Sequence, residues 1–283
     1  MKDINIYIIT SDKTKHVLKA AIPLMEKYWN VEKHVKILGF NGDGIDLPKD
    51  YKFVSMKPAQ ATIDDWAKDI HSAIQNDPNE HVIFMLDDML VLDHIDMNMF
   101  NLLMDRCKTD SNVVRAALCI DLQFLPCFVT EGFGDHSIIE QSQHSEYRIT
   151  TQPSIWRKDY LLSILAKSTN PWQFETAHPS RDGKRIIGTR GIYACSCMGE
   201  TALSNRYPGM FNILGLKLSD VKWLVDMGAI NESNLQWGQY LGNVPQFSNY
   251  GYGFKLEVLK NYLTDNGQSA YNYYLTKYGQ NYI

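Results

Sequence analysis

The sequence lacks the long apolar runs and the paired cysteines that mark membrane-spanning and secreted proteins. No stretch approaches the roughly 20 apolar residues that a membrane-spanning helix needs, and the first residues turn polar too soon for a secretion signal. The five cysteines are odd in number, and Cys195 and Cys197 lack the two-residue spacing of a zinc knuckle, so we expect reduced thiols. These absences predict a cytoplasmic protein without a membrane span.

An excess of positive charge is also missing. The formal net charge is -4 at pH 7, which argues against a uniformly basic surface for coating nucleic acid but allows a local basic groove. Arg181, Lys184, Arg185 and Arg190 form the local concentration of basic residues. The composition, 45% hydrophobic and 21% charged over 283 residues, is typical of a globular chain with one large domain, alone or with an appendage.

What the sequence contains is an alternation of strands and helices. Apolar runs at 4–9, 35–40, 81–86 and 113–120 predict strands, and residues 17–28, 63–74 and 96–106 have helical spacing. Right-handed crossovers then give an α/β fold with a mostly parallel central sheet flanked by helices. Residues 121–144 predict a long irregular connection. We expect a main domain over residues 1–204 and a C-terminal helical appendage over residues 205–283.

Two adjacent acids, Asp87 and Asp88, follow the apolar run that predicts the strand at 81–86. Open α/β sheets bind ligands at the carboxyl ends of their strands, and two neighbouring negative charges cost energy unless a cation neutralises them. Carboxylate oxygens suit Mg²⁺ or Mn²⁺, which typically join protein carboxylates to substrate phosphates. The alternative is a strand that ends in a solvated acidic turn.

Three segments form a pattern in the order of the chain. They are the acidic pair 87–88, the segment 152–157 (Gln-Pro-Ser-Ile-Trp-Arg) and the segment 170–175 (Asn-Pro-Trp-Gln-Phe-Glu). Together they resemble bacterial and bacteriophage glycosyltransferases of the GT-A fold, and residues 7–12 and 114–121 are similar to the same family. The resemblance implies a GT-A-like, Rossmann-related fold, with residues 1–204 as the catalytic domain. It also implies a metal-dependent enzyme that transfers sugar from a nucleoside-diphosphate sugar, with UDP-sugars favoured.

The resemblance assigns the metal ion, Mn²⁺ or Mg²⁺, to the acidic pair. Asp88 is the preferred metal ligand, and Asp87 is the preferred ribose-contacting or outer partner. The pair is adjacent rather than in the spaced Asp-X-Asp form, so both carboxylates stay candidates for reaching the metal. His178 either completes the metal shell or is a polar loop residue.

The nucleotide-sugar contacts implied by the resemblance come from three parts of the chain. Thr10, Ser11 and Asp12 end the first strand, where such enzymes hold the base and ribose, although the same residue types are ordinary helix N-caps. Gln152 and Trp156 would face the donor sugar and the acceptor, with core packing as the alternative for an indole. Arg190 belongs to the basic group that would neutralise a departing diphosphate or hold a phosphate-bearing acceptor.

Glu175 is the candidate catalytic carboxylate. An enzyme that inverts configuration needs a general base within hydrogen-bond reach of the acceptor hydroxyl, and an acid beside Trp172 and Phe174 would be partly shielded from water. If the enzyme retains configuration, Glu175 would instead contact the sugar hydroxyls. The structural alternative is a helix-initiating glutamate favoured by the helix macrodipole.

The sequence therefore predicts a metal-assisted glycosyltransferase whose acceptor is either a bacterial glycan or a hydroxymethylated base in phage DNA. A nucleotidyltransferase would also use an acidic metal site, but it should show a glycine-rich, basic first loop, and residues 10–13 contain no glycine. A carbohydrate-binding or scaffold protein without chemistry is the alternative from another class.

Overall fold

The computed structural model of the chain divides it into two units. The first comprises Met1–Asp12, Asn30–Asp87 and Ile95–Ser196, and the second comprises Lys13–Trp29, Asp88–His94 and Cys197–Ile283. The domain boundary between residues 204 and 205 stays a prediction. The residues that the structure describes are 4–57, 62–91, 94–119, 122, 125–133, 136–176, 181–190, 218–229, 264–265 and 268–269.

A nine-stranded sheet forms the centre of the first unit, in the order β3-β2-β1-β4-β8-β5-β9-β7-β6. A separate two-stranded pairing joins β10 to β11. The strands are β1 Asn5–Ile9, β2 His34–Gly39, β3 Tyr51–Ser55, β4 His81–Leu86, β5 Val113–Ala117, β6 Cys127–Phe133, β7 His136–Gln141, β8 Ser154–Arg157, β9 Arg185–Arg190, β10 Thr264–Asp265 and β11 Gln268–Ser269.

Most strands of the large sheet point the same way. β1, β2, β3 and β4 are mutually parallel, and β8 is antiparallel to both β4 and β5, so β5 points in the direction of β4. β9 is parallel to β5, β7 is antiparallel to β9, and β6 is antiparallel to β7. Seven of the nine strands therefore share one direction and only β7 and β8 oppose it, which confirms the mostly parallel sheet.

The helices found in the described residues are α1 Leu18–Tyr28, α2 Trp66–Ile74, α3 Met97–Thr109, α4 Lys158–Leu165, α5 Pro171–Thr176 and α6 Leu218–Asp226, with short 3₁₀ turns at Lys15–Val17 and Ile63–Asp65. Three of these helices, α1 to α3, match the predicted helical spacing. None of the described helices is long and apolar enough to cross a membrane.

The core of the first unit lies between the sheet and helices α2 and α4. Trp66 and Ile70 of α2 and Leu161 of α4 pack in one cluster with Phe84 of β4. Fully burying a side chain of this size stabilises the fold by about 1.5–3 kcal/mol. His81 and the following residues through Met85 are all buried, so both faces of β4 are covered, as expected for a strand of an α/β sheet.

Two parts of the sheet differ from the sequence prediction. The expected irregular connection over 121–144 is wrong, because β6 and β7 form an antiparallel hairpin there with Phe133 opposite His136. The sequence signal was Gly134-Asp135, a dipeptide that favours tight hairpin turns. The strand β9 was also not predicted.

In the second unit, the buried carboxylate of Asp220 connects helix α6 to helix α1. Asp220 of α6 accepts a hydrogen bond from the Tyr28 hydroxyl at 2.6 Å and pairs with the Lys27 ammonium. The same ammonium lies 5.0 Å from the centre of the Trp223 ring. Gly228 adopts φ of 73° just after α6, which is the left-handed conformation that ends many helices.

Candidate functional site

The carboxyl edge of the sheet is where the predicted site residues of the first unit gather. β1 and β4 are parallel and end side by side, so Thr10 and Asp87 leave the sheet together. Ser154, the first residue of β8, lies opposite Phe84 of β4. The residues just before β8 are therefore on the same edge as the residues just after β4, which is where ligands bind in open α/β sheets.

Thr10 and Asp87 form a buried pair at this edge. The Thr10 hydroxyl donates to Oδ2 of Asp87 at 2.5 Å, and the Asp87 amide donates to the Ile9 carbonyl at 2.9 Å. A methyl group added at Gly39 would lie 2.8 Å from the Thr10 methyl carbon. The pair is thus held by hydrogen bonds on one side and by a close-packed glycine on the other.

Asp12 connects the end of β1 to the turn after β2. Its Oδ1 accepts a hydrogen bond from the Asn41 amide at 3.2 Å, while its side chain is exposed and Ser11 is half-buried. The residue in the N-cap position of the following 3₁₀ turn is Thr14. The N-cap explanation weighed for Thr10, Ser11 and Asp12 is therefore not what their positions indicate.

Glu175 is fixed to the same edge by two threonines, which we call the threonine clamp. Oε1 of Glu175 accepts hydrogen bonds from the Thr150 hydroxyl at 3.0 Å, the Thr151 amide at 2.8 Å and the Thr151 hydroxyl at 2.9 Å. Both threonines are buried and Glu175 is half-buried. Sequence reasoning missed the clamp, because nothing in the chain links residues that are 24 and 25 positions apart.

The clamp, rather than the helix macrodipole, explains where Glu175 lies. Glu175 is the penultimate residue of α5, and a negative charge at a helix carboxyl end is unfavourable by roughly 0.3–1 kcal/mol. Hydrogen bonds to a charged group contribute about 1.5–3 kcal/mol each, so three of them outweigh that cost. The helix-initiating role weighed for Glu175 is wrong.

The two aromatic neighbours of Glu175 in sequence have opposite environments. Phe174 is buried in the core, whereas Trp172 is 65% exposed. The predicted shielding of Glu175 therefore comes from one side only. The helix α5 thus presents an exposed indole and a half-buried carboxylate within one turn.

Trp156 lies in the core. Its side chain has no exposed surface, with Tyr160 stacked on it at 6.4 Å and Phe174 tilted against it at 6.0 Å between ring centres. Burial and the hydrogen bond to Asp182 raise the pKa of Tyr160, so its hydroxyl stays protonated. A side chain with no exposed surface does not contact a donor, so this placement corrects the predicted sugar-contacting role of Trp156 in favour of core packing.

Gln152 and Arg190 lie on the carboxyl edge. Gln152 is half-buried, and its amide donates to the Thr150 hydroxyl oxygen at 3.3 Å, which makes it part of the segment that carries the clamp. Arg190 is the last residue of β9 and lies opposite Ser137 of β7. Its contact with a donor stays a prediction.

The metal ligands proposed from the sequence are only partly within the described residues. Asp88 is half-buried in the turn directly after Asp87, whereas His178 lies outside the described residues. In the part of the chain that the structure describes, no three His, Cys, Asp or Glu side chains form a metal-binding group. One or two carboxylates completed by substrate phosphates and water suffice for Mg²⁺, so a metal ion at Asp88 stays a prediction.

Most of the basic concentration lies away from the carboxyl edge. Arg185 starts β9 opposite Val113, the first residue of β5, and is therefore at the amino edge. Its guanidinium pairs with Asp110 at 2.5 Å and with Glu140 at 2.8 Å. The charge of Arg185 is thus already neutralised by carboxylates.

Comparisons with known proteins found solved structures of distantly similar shape. No family model and no curated protein matches the chain. A putative nucleotide-diphospho-sugar transferase from Desulfovibrio desulfuricans G20 is 12% identical, with 66% of this chain and 80% of that chain covered and a TM-score of 0.37. A cytidylyltransferase from Leptospira borgpetersenii is 9% identical, with coverages of 62% and 69% and a TM-score of 0.36.

A third similar structure is the galactosyltransferase LgtC in complex with donor and acceptor sugar analogues. It is 13% identical, with 63% of this chain and 68% of that chain covered and a TM-score of 0.36. Likeness at this level carries no argument about activity. The function of this chain must therefore be argued from its own site residues.

Proposed function

We propose that this chain is a metal-assisted glycosyltransferase that moves a sugar from a nucleoside-diphosphate sugar to a hydroxyl acceptor, with UDP-sugars as the first donors to test. The observation that carries the proposal is the Glu175 carboxylate, clamped at the sheet edge where Asp87 follows β4. Both residues belong to the segments that resemble GT-A glycosyltransferases. An acid for the acceptor and an acid for the donor on one sheet edge are what such a transfer needs.

Glu175 would act on the acceptor hydroxyl. Its Oε1 is occupied by the clamp, whereas Oε2 makes no hydrogen bond to the other described residues. In an inverting reaction Oε2 would take the hydroxyl proton as the acceptor oxygen attacks the sugar carbon, which is general-base assistance. In a retaining reaction the same oxygen would bind a sugar hydroxyl.

The acidic pair would hold the donor phosphates through a cation. Asp88 is the proposed ligand for Mn²⁺ or Mg²⁺, with Asp87 kept in place by Thr10. A bound divalent ion supplies charge neutralisation for the leaving diphosphate. Thr10, Ser11 and Asp12 would contact the nucleoside, since they leave β1 beside Asp87.

We propose a glycan hydroxyl as the acceptor, in preference to hydroxymethylated DNA. Binding duplex DNA requires cationic side chains that neutralise backbone phosphates near the reacting group. Arg185 is paired with two carboxylates at the opposite edge of the sheet, and the chain carries a net charge of -4. These features support an uncharged sugar acceptor more than a polyanion.

The first experiment measures donor turnover. Purified protein is incubated with a panel of nucleoside-diphosphate sugars and Mn²⁺, with either simple glycosides or hydroxymethylcytosine-containing DNA as acceptor. Released nucleoside diphosphate and added hexose or pentose mass are then detected by mass spectrometry. Transfer to a glycoside supports the proposal, and transfer to the modified DNA alone would replace the glycan by the nucleic acid.

A matched pair of variants makes the same assay specific for the site. Glu175→Gln should lose transfer, whereas Glu146→Gln, at an exposed position, should not. Consumption of nucleoside triphosphates with release of pyrophosphate would instead indicate a nucleotidyltransferase. Donor binding without any turnover would indicate a carbohydrate-binding protein.

A further inference from the structure

The segment that carries the threonine clamp is braced from inside the protein by one arginine. Nη1 of Arg115 donates to the Arg148 carbonyl at 3.0 Å, and Nε donates to the Ser154 hydroxyl at 2.8 Å. These two contacts lie on either side of Thr150 and Thr151. The guanidinium therefore spans the two ends of the clamp segment.

The Arg115 side chain is itself fixed by burial and by its neighbours. Arg115 is 2% exposed, and its guanidinium carbon lies 5.4 Å from the centre of the Trp156 ring. The Leu118 amide donates to the Pro153 carbonyl at 2.9 Å, which ties the same segment to the end of β5. A backbone fixed at several points gives the threonine donors one defined direction.

From this arrangement we propose that Thr150 and Thr151 are positioning residues that select Oε2 of Glu175 as the oxygen that contacts the acceptor. The inference rests on the proposed function, because it assigns a task to the oxygen that transfer would use. Three donors converge on Oε1, so the carboxylate cannot exchange its oxygens by rotation without breaking them. The clamp thereby fixes both the identity and the direction of the reacting oxygen.

The physical benefit of such a clamp is orientation. A base that is already aimed at the acceptor loses little freedom when the reaction begins, and misplacement by about 1 Å can lower a rate by roughly 10²-fold. Loss of the clamp should therefore slow turnover with little effect on donor binding. A contact that serves only stability would not separate these two quantities.

The test is a pair of double variants at the clamp. Thr150→Val with Thr151→Val keeps the shape of both side chains and removes both hydroxyl donors, whereas Thr150→Ser with Thr151→Ser keeps the donors. We expect the valine pair to lower kcat by about 10²-fold with the donor KM nearly unchanged. The serine pair should restore most of the rate. A valine pair with the parental kcat would overturn the positioning role.

Stability measurements keep the proposal falsifiable if the valine pair folds poorly. The single Thr150→Val variant removes one donor and leaves both donors of Thr151, so it should fold and lose part of kcat. A double-mutant cycle of Thr151→Val with Glu175→Ala, read by urea unfolding, measures whether the clamp is formed. A coupling near zero would mean that the Thr151 hydroxyl does not bind Glu175 in solution, and it would overturn the inference.

Failure of the inference can be told apart from failure of the proposed function. If the parent protein transfers sugar but the valine pair does too, only the positioning role is lost. If the parent protein turns over no donor, the proposed function and the positioning role both fall. The coupling in the unfolding cycle then shows that the clamp is purely a structural contact.

Discussion

The two edges of the central sheet each hold a carboxylate, and the two carboxylates are hydrogen-bonded differently. At the amino edge, both oxygens of the Asp77 carboxylate accept hydrogen bonds. Oδ2 accepts from the Asn5 side-chain amide at 2.5 Å, the Tyr7 hydroxyl at 2.5 Å and the Lys36 ammonium at 3.2 Å. Oδ1 accepts from the Asn79 backbone amide at 2.9 Å. At the carboxyl edge, the clamp occupies only Oε1 of Glu175. Both oxygens of Asp77 are thus hydrogen-bonded, whereas Oε2 of Glu175 has no hydrogen-bond partner among the described residues.

The surroundings of Asp77 reinforce this difference. Burial by itself would raise the pKa of Asp77, but the hydrogen bonds from Tyr7, Asn79, Asn5 and Lys36 outweigh it and hold the pKa below its ordinary value. The Tyr7 pKa is raised in turn by burial and by Asp77. The amino edge thus keeps a charged carboxylate as a permanent structural group.

Replacing the carboxylate of Glu175 at the carboxyl edge should give the largest effect. Glu175→Gln keeps a carbonyl oxygen for the three clamp donors but removes the proposed base, so the fold should persist while kcat falls by about 10²–10⁴-fold. The check is a steady-state assay at saturating donor together with a thermal melt. A fall smaller than about tenfold would be too little for a general base and would remove Glu175 from the chemistry.

Replacing the carboxylate at the amino edge should damage stability instead. Asp77→Ala leaves buried donors and a lysine charge without their acceptor, which should lower the free energy of unfolding by about 3 kcal/mol. The matched control is Asp46→Ala, at an exposed position, with an expected change within about 0.5 kcal/mol. Equal unfolding midpoints for the two variants would contradict the contrast between the edges.

A smaller effect is expected where the carboxyl edge is close-packed. Gly39→Ala puts a methyl group 2.8 Å from the Thr10 methyl carbon and the Phe53 ring, and overpacking of this kind costs about 1–3 kcal/mol. Gly132→Ala is the control, because a methyl group there meets no atom within 4 Å. Denaturant unfolding of both variants measures the difference, and equal losses would show that the Thr10 environment adapts.

The pH dependence of stability should show how much the charged carboxylate of Asp77 contributes at the amino edge. Because the folded pKa of Asp77 is depressed, its contribution is present above its unfolded pKa of about 3.9 and is lost as the pH falls through the folded value. The stability gap between the parent and Asp77→Asn should therefore narrow on acidification. Urea midpoints measured from neutral to acid pH test this, and a gap that widens would reverse the assigned sign.

The sequence predicted the parts of this protein whose signals are local. Buried runs such as 81–86 and amphipathic segments such as 63–74 carry their periodicity in adjacent residues, so strands β1, β2, β4 and β5 and helices α1 to α3 were expected. The edge strand β6 escaped prediction because its side chains are mostly exposed or half-buried, which leaves no clear pattern. The place of β8 between β4 and β5 depends on pairing across the chain, which no local pattern predicts.

In the candidate site, too, the residues with a local sequence signal were predicted and the contacts between distant segments were not. Asp87 and Glu175 could be singled out because acids after an apolar strand or beside aromatic residues are unusual locally. The buried state of Trp156, the pairing of Thr10 with Asp87 and the clamp all arise from contacts between distant segments. Such contacts follow from the three-dimensional arrangement and have no counterpart in residue spacing.

The position of β8 in the sheet has a consequence for how the protein unfolds. Strands β3, β2, β1 and β4 form one side of the large sheet, strands β5, β9, β7 and β6 form the other, and the four residues of β8 lie between them. All backbone ladder bonds that join the two sides therefore run through this one short strand. We expect the backbone amides of β8 to exchange hydrogen with solvent only when the whole sheet opens, as in the most protected cooperative units of proteins. Loss of the pairing of β8 would therefore coincide with global unfolding.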